Sequence, residues 1–103
     1  MCSTDSYRLQ QIMRRAPPDG TQEYARYMRY VGLWRRVRER IAYLQRHLDQ
    51  LHAAIADAIT GDSPHAFVAA AERADQLATA ALDVAQLQVF AEYIYRRLLA
   101  WGS

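Results

Sequence analysis

Lysine is absent from the 103 residues, and all thirteen cationic side chains are arginine. Codon bias in a GC-rich genome accounts for that pattern; so does a use for bidentate and stacking contacts that lysine does not make. A single cysteine, Cys2, excludes an internal disulfide and fits a reducing, cytoplasmic compartment. Four glycines and three prolines exclude collagen-like and low-complexity classes. No run approaches the roughly 18 apolar residues of a membrane span, so no membrane association is expected. The first twenty residues hold Arg8, Arg14 and Arg15 but no apolar core, so no secretory signal is expected there.

Catalytic groupings are scarce as well. The serines Ser3, Ser6, Ser63 and Ser103 fall in termini or turns, with no base at a recognisable spacing. No glycine-rich phosphate loop is present. His47 and His52 stand about 140° apart around a helix of 3.6 residues per turn and cannot share one metal. Glu-x-x-His pairs of the di-iron bundles are missing, and His65 falls in a first helical turn. The chain is expected to be neither an enzyme nor a holder of metal or cofactor.

What is present is an apolar content of 51%, enough for a core in one small domain. Charge is polarised along the chain. Residues 8–46 carry ten Arg against Asp19, Glu23 and Glu39, a balance of +7; residues 47–103 carry three Arg against seven acids, a balance of −4.

Residues 1–20 read as an arm with a short helix from Tyr7 to Arg15, capped by Asp5 or Ser6 and broken at Pro17-Pro18-Asp19-Gly20. The pattern is then sustained. Tyr27, Tyr30, Trp34, Val37, Ile41, Leu44, Leu48, Leu51, Ile55 and Ala58 alternate steps of three and four, the signature of one long helix with a coiled-coil-like seam. Asp19 or Thr21 can cap it, and Asp19 with Gln22 has capping-box spacing. Gly61-Asp62-Ser63-Pro64 places a left-handed C′ glycine, an N-cap serine and an N1 proline in series. A turn that short sends the second helix back antiparallel. The expected fold is therefore all-α: an arm at 1–20, then a hairpin at 21–103 with helices at about 21–60 and 64–100, dimerising into a four-helix bundle.

The second long helix offers three apolar lines. Phe67, Ala70, Ala74, Leu77, Ala81, Val84, Ala91, Tyr95 and Leu98, with Gln88 as polar exception, form the line expected to face the first helix. Val68, Ala71, Ala78, Leu82, Ala85, Val89 and Leu99 run beside it, interrupted by Asp75, Glu92 and Arg96. Ala80, Leu87, Ile94 and Trp101 recur every seven residues on the other flank. One facing helix cannot cover so much apolar surface, so association is expected. Val68, Leu82, Val89, Leu87, Ile94 and Leu99 are the candidate homodimer interface, with a different partner protein on the same surface as the alternative.

Met28, Arg29, Arg35, Arg36, Arg40 and Tyr43, with Arg96 and Arg97, are the candidate partner-binding residues. Arg, Tyr and Met give much contact area per residue ordered, the composition of interface hot spots. The bland alternative is a solvated face in which Glu39 pairs with Arg35 or Arg36 and Glu92 with Arg96. The sequence thus points to a small regulatory protein that binds another protein, one with an acidic surface, to inhibit, sequester or chaperone it. Nucleic-acid binding by a helical-hairpin dimer is the alternative, because Arg35-Arg36-Val37-Arg38-Glu39-Arg40 is a dense basic stretch.

Overall fold

A computed structural model describes residues 3–61 and 63–102 of the chain. Three helices account for nearly all of them: α1 (Ser3–Arg14), α2 (Gln22–Ile59) and α3 (Pro64–Leu99). α2 and α3 pack against each other extensively as a hairpin.

Local chemistry explains the helix ends. Thr21 caps α2: its Oγ1 accepts the Tyr24 N–H at 3.0 Å while its hydroxyl donates to the Pro18 carbonyl at 2.8 Å. Gly20, at φ +86°, supplies the left-handed residue that brings the chain from the proline pair into that cap. Ser63 caps α3 by accepting the His65 N–H at 3.2 Å, with Pro64 as the first helical residue. The expectation for Gly61 needs correction, since its φ is not positive. The α2 terminus instead tightens through a Gly61 N–H bond to the Ala58 carbonyl at 3.3 Å. Gly61 suits the spot because a Cβ there would stand 3.1 Å from the Cβ of Ala66. Cys2 and Asp62 lie outside the described residues.

The chain divides into two compact units, Met1–Arg40 with Leu87–Ser103, and Ile41–Gln86. In the first, α1 docks against α2 and α3. It starts at Ser3, not Tyr7, so Asp5 sits inside the first turn and is no cap. Asp5 meets Arg38 and Ile12 meets Tyr27, so α1 runs antiparallel to α2. Arg8 meets Glu92 and Arg15 meets Leu99, so it runs parallel to α3. Ile12, Tyr27, Val31, Trp34, Ala91, Ile94 and Leu98 form the core of this unit. Docking of α1 also turns the buried stripe of α2: Val31 is buried, while Tyr30, expected in the seam, is 40% exposed.

In the second unit Ile41, Leu44 and Leu51 of α2 are buried with Ala70, Ala80 and Val84 of α3. Small alanines let the helix backbones approach opposite the larger Ile and Leu. A two-helix unit covers one face of each helix and no more.

The phase of α3 differs from expectation. Ala70, Val84, Ala91 and Leu98 are buried as expected, but the positions between them are filled by Ala80 and Ile94, not by Ala74, Ala81 or Gln88, which are exposed. The physical reason is polar satisfaction: turning Gln88 inward would bury an amide in an apolar seam, whereas the flank through Ala80, Leu87 and Ile94 holds nothing polar. Ile94 therefore belongs to the chain's own core and not to a dimer surface. Phe67, expected in the seam, is 76% exposed.

Candidate functional site

Arginines divide into those that hold the fold and those that face water. Arg8 donates to Glu92 at 2.6 Å and lies over the Tyr95 ring, 4.5 Å from its centroid. Arg38 donates through Nε to Asp5 at 3.0 Å, and Arg15 donates to the Leu99 carbonyl at 3.0 Å. These three tie α1 to the first unit, a role the sequence reading did not assign to them. Asp5 alone among the first eighteen residues was the available hint, being an acid in an otherwise basic segment.

Of the expected partner-binding residues, Arg29, Arg35, Arg36, Arg40, Arg96 and Arg97 are exposed, and Met28 is half-buried. Arg29, Arg36 and Arg40 recur at spacings of seven and four, so they share the side of α2 turned away from the buried Trp34. Met28 and Arg35 fall on a flank of the helix, so the expected partner-binding residues of α2 are divided between two faces. Arg36 Nε also reaches the Gly32 carbonyl one turn earlier, at 3.4 Å. Arg96 pairs with Glu92 at 3.4 Å, as the bland reading expected.

In the second unit Tyr43 is exposed and lines a shallow depression of about 80 Å³ with Arg46, His47 and Gln50. That volume is well below the roughly 300 Å³ at which small-molecule sites begin. Among the described residues no group of three His, Cys, Asp or Glu is arranged to hold a metal ion. None of their helices is long and apolar enough to cross a membrane.

Aromatic side chains gather in the first unit. Trp101 meets Tyr27 edge-on at 5.4 Å and Tyr30 at 5.6 Å, and Trp34 stacks at a tilt on Tyr95 at 6.2 Å. Tyr27 is fully buried and donates its hydroxyl to the Ile12 carbonyl. Burial pushes its phenol above the usual tyrosine range, with Arg15 pulling weakly the other way. Trp34 Nε1 is buried without a hydrogen-bond partner. The Arg8 hydrogen bond holds the Glu92 carboxyl below the usual carboxylate range, against a desolvation that raises it. These aromatics are mainly packing, whereas Tyr7 and Tyr93 of the same unit stand well out in solvent.

The exposed side of α3 carries the other expected set. Val68, Leu82 and Val89 are more than half exposed, at 56%, 59% and 73%. Ala71, Ala78 and Ala85 lie exposed between them at the same three-four spacing. Leu87 and Leu99 are half-buried. The chain matches no protein-family model, no curated protein and no solved structure.

Proposed function

We propose that this chain is a small non-catalytic protein that binds another protein to inhibit, sequester or chaperone it. The observation that carries the reading is the exposed row Arg29, Arg36 and Arg40 on the outer side of α2. Arginines so placed steer an acidic partner and give bidentate contacts at the docked surface. The second surface in this reading is the exposed apolar side of α3, where the chain pairs with itself as a homodimer. Its setting is the cytoplasm, in keeping with a single cysteine.

Arg29→Glu with Arg36→Glu tests the first surface. Immobilised wild type and variant are exposed to a nuclease-treated extract of the native cell, and retained proteins are quantified. The reading predicts an acidic protein lost from the variant at least tenfold, with far-UV circular dichroism unchanged. Identical retention by both chains contradicts it. Retention of nucleic acid before nuclease treatment, falling steeply with salt, favours the phosphate-binding use of the same arginines.

A further inference from the structure

We propose that the exposed side of α3 pairs antiparallel with the same side of a second copy, with Asp75 of each chain set against the partner's Arg96. This rests on the dimer reading above and adds its orientation and register.

The apolar line is regular. Val68, Ala71, Ala78, Leu82, Ala85 and Val89 keep a three-four spacing along one helix from Pro64 to Leu99, with Asp75 completing the rhythm, and all are exposed. This is the pattern by which one helix seats against another. α1 reaches α3 at Glu92, Tyr95 and Leu99, along one edge of this line, and leaves Val89, Tyr93 and Arg96 exposed.

Charge selects the occupant and its direction. The first half of α3 exposes Glu72 and Asp75, with Arg73 half-buried between them, and Asp83 follows just past the middle, while the last turn exposes Arg96 and Arg97 beyond the half-buried Glu92. A parallel copy sets Asp75 against Asp75 and Arg96 against Arg96. An antiparallel copy sets each acidic half against a basic last turn, twice over by symmetry.

Size selects the register. In a two-fold antiparallel pair every facing couple shares one midpoint along the helix. Asp75 with Arg96, Ala78 with Tyr93, and Leu82 with Val89 all share the midpoint between Ala85 and Gln86. In that register opposite charges face each other at the ends and the small Ala78 leaves room for the Tyr93 ring. Leu82 meets Val89 on the central line, and small Ala85 lies at the axis, where the backbones come closest. The ion pairs then bracket about 32 Å of apolar contact at 1.5 Å rise per residue.

Sedimentation equilibrium on four proteins tests this: wild type, Leu82→Asp, Asp75→Arg, and Asp75→Arg combined with Arg96→Asp. All three positions are exposed, so each variant is expected to retain wild-type helicity by circular dichroism. Wild type is expected to be a dimer and Leu82→Asp a monomer. Asp75→Arg, which sets two like-charge couples face to face, is expected to weaken the dimer about tenfold. The double variant is expected to recover most of that loss, because both couples are reversed and attractive again. Rising salt should strengthen Asp75→Arg and weaken the other two dimers. A dimer lost in Leu82→Asp but not recovered in the double variant overturns the antiparallel register while leaving the dimer on this face. A wild-type monomer, or a dimer indifferent to Leu82→Asp, overturns both.

Discussion

Arg38→Leu leaves Asp5 as a buried carboxylate without its cation, and the cost follows from the geometry. Asp5 Oδ1 and Arg38 Nε stand 3.0 Å apart, with side chains 8% and 24% exposed. Removing one partner of a buried pair typically costs about 3–5 kcal/mol, because the other charge stays desolvated. Two features reduce that figure. Water reaches the Arg38 side, and Asp5 sits in the first turn of α1, where the helix dipole favours an anion. A loss of about 2–3 kcal/mol is therefore expected, a large share of the roughly 5–15 kcal/mol that holds a domain of this size. It would lower Tm by about 8–20 °C if unfolding is cooperative. Asp5→Leu should cost less, under about 1 kcal/mol, since the long Arg38 side chain can swing into water. The double variant Asp5→Leu/Arg38→Leu should return close to wild type, because a packed apolar couple replaces the ion pair. Thermal and urea unfolding of the four proteins gives the cycle. If α1 lifts off before the rest unfolds, its amide protection falls first and the buried Trp34 emission shifts to the red. An Arg38→Leu loss under about 0.5 kcal/mol, or one equal to that of Asp5→Leu, refutes the reasoning.

Two glycines should respond in opposite directions to alanine. Gly32 lies mid-helix with nothing within 4 Å of an added Cβ, so Gly32→Ala should stabilise by about 1 kcal/mol. Gly20 holds φ +86°, so Gly20→Ala should destabilise by about 1 kcal/mol; urea midpoints compare the pair. Glu92 supplies a pH dependence. Arg8 makes its carboxyl easier to ionise when folded, so its contribution is present above the ordinary carboxylate range and is lost as pH falls through the lower folded value. Unfolding followed from pH 6 to pH 3 should therefore show a steeper acid loss in wild type than in Glu92→Gln, and equal slopes would contradict that assignment.

The two long helices and their turn were legible in the sequence because their signals are local. The seam from Tyr27 to Ala58 repeats on every turn, and Ser63 with Pro64 marks a helix start within two residues. The phase of α3 was less legible, since three apolar lines compete there and only the neighbouring helix decides which is buried. Gln88 was the usable signal: an amide in an otherwise apolar line marks the side that stays in water. Docking of α1 was not legible at all. Arg8 finds Glu92 across 84 residues and Asp5 finds Arg38 across 33, and no periodicity links such partners. The same non-local contacts divide the arginines into those that hold α1 and those left on the surface. The basic stretch from Arg35 to Arg40 read as one patch, yet the fold takes Arg38 inward and leaves Arg36 and Arg40 on the outer side of α2.

Light scattering behind size exclusion at low and high salt, with absorbance recorded at 260 and 280 nm, addresses the central claim most directly. That claim is a protein-binding chain that pairs with itself through α3. It predicts a protein-only peak at twice the 11.9 kDa chain mass at both salts, since apolar contact dominates the interface. A peak at the single-chain mass, or one carrying nucleic acid that departs as salt rises, contradicts it.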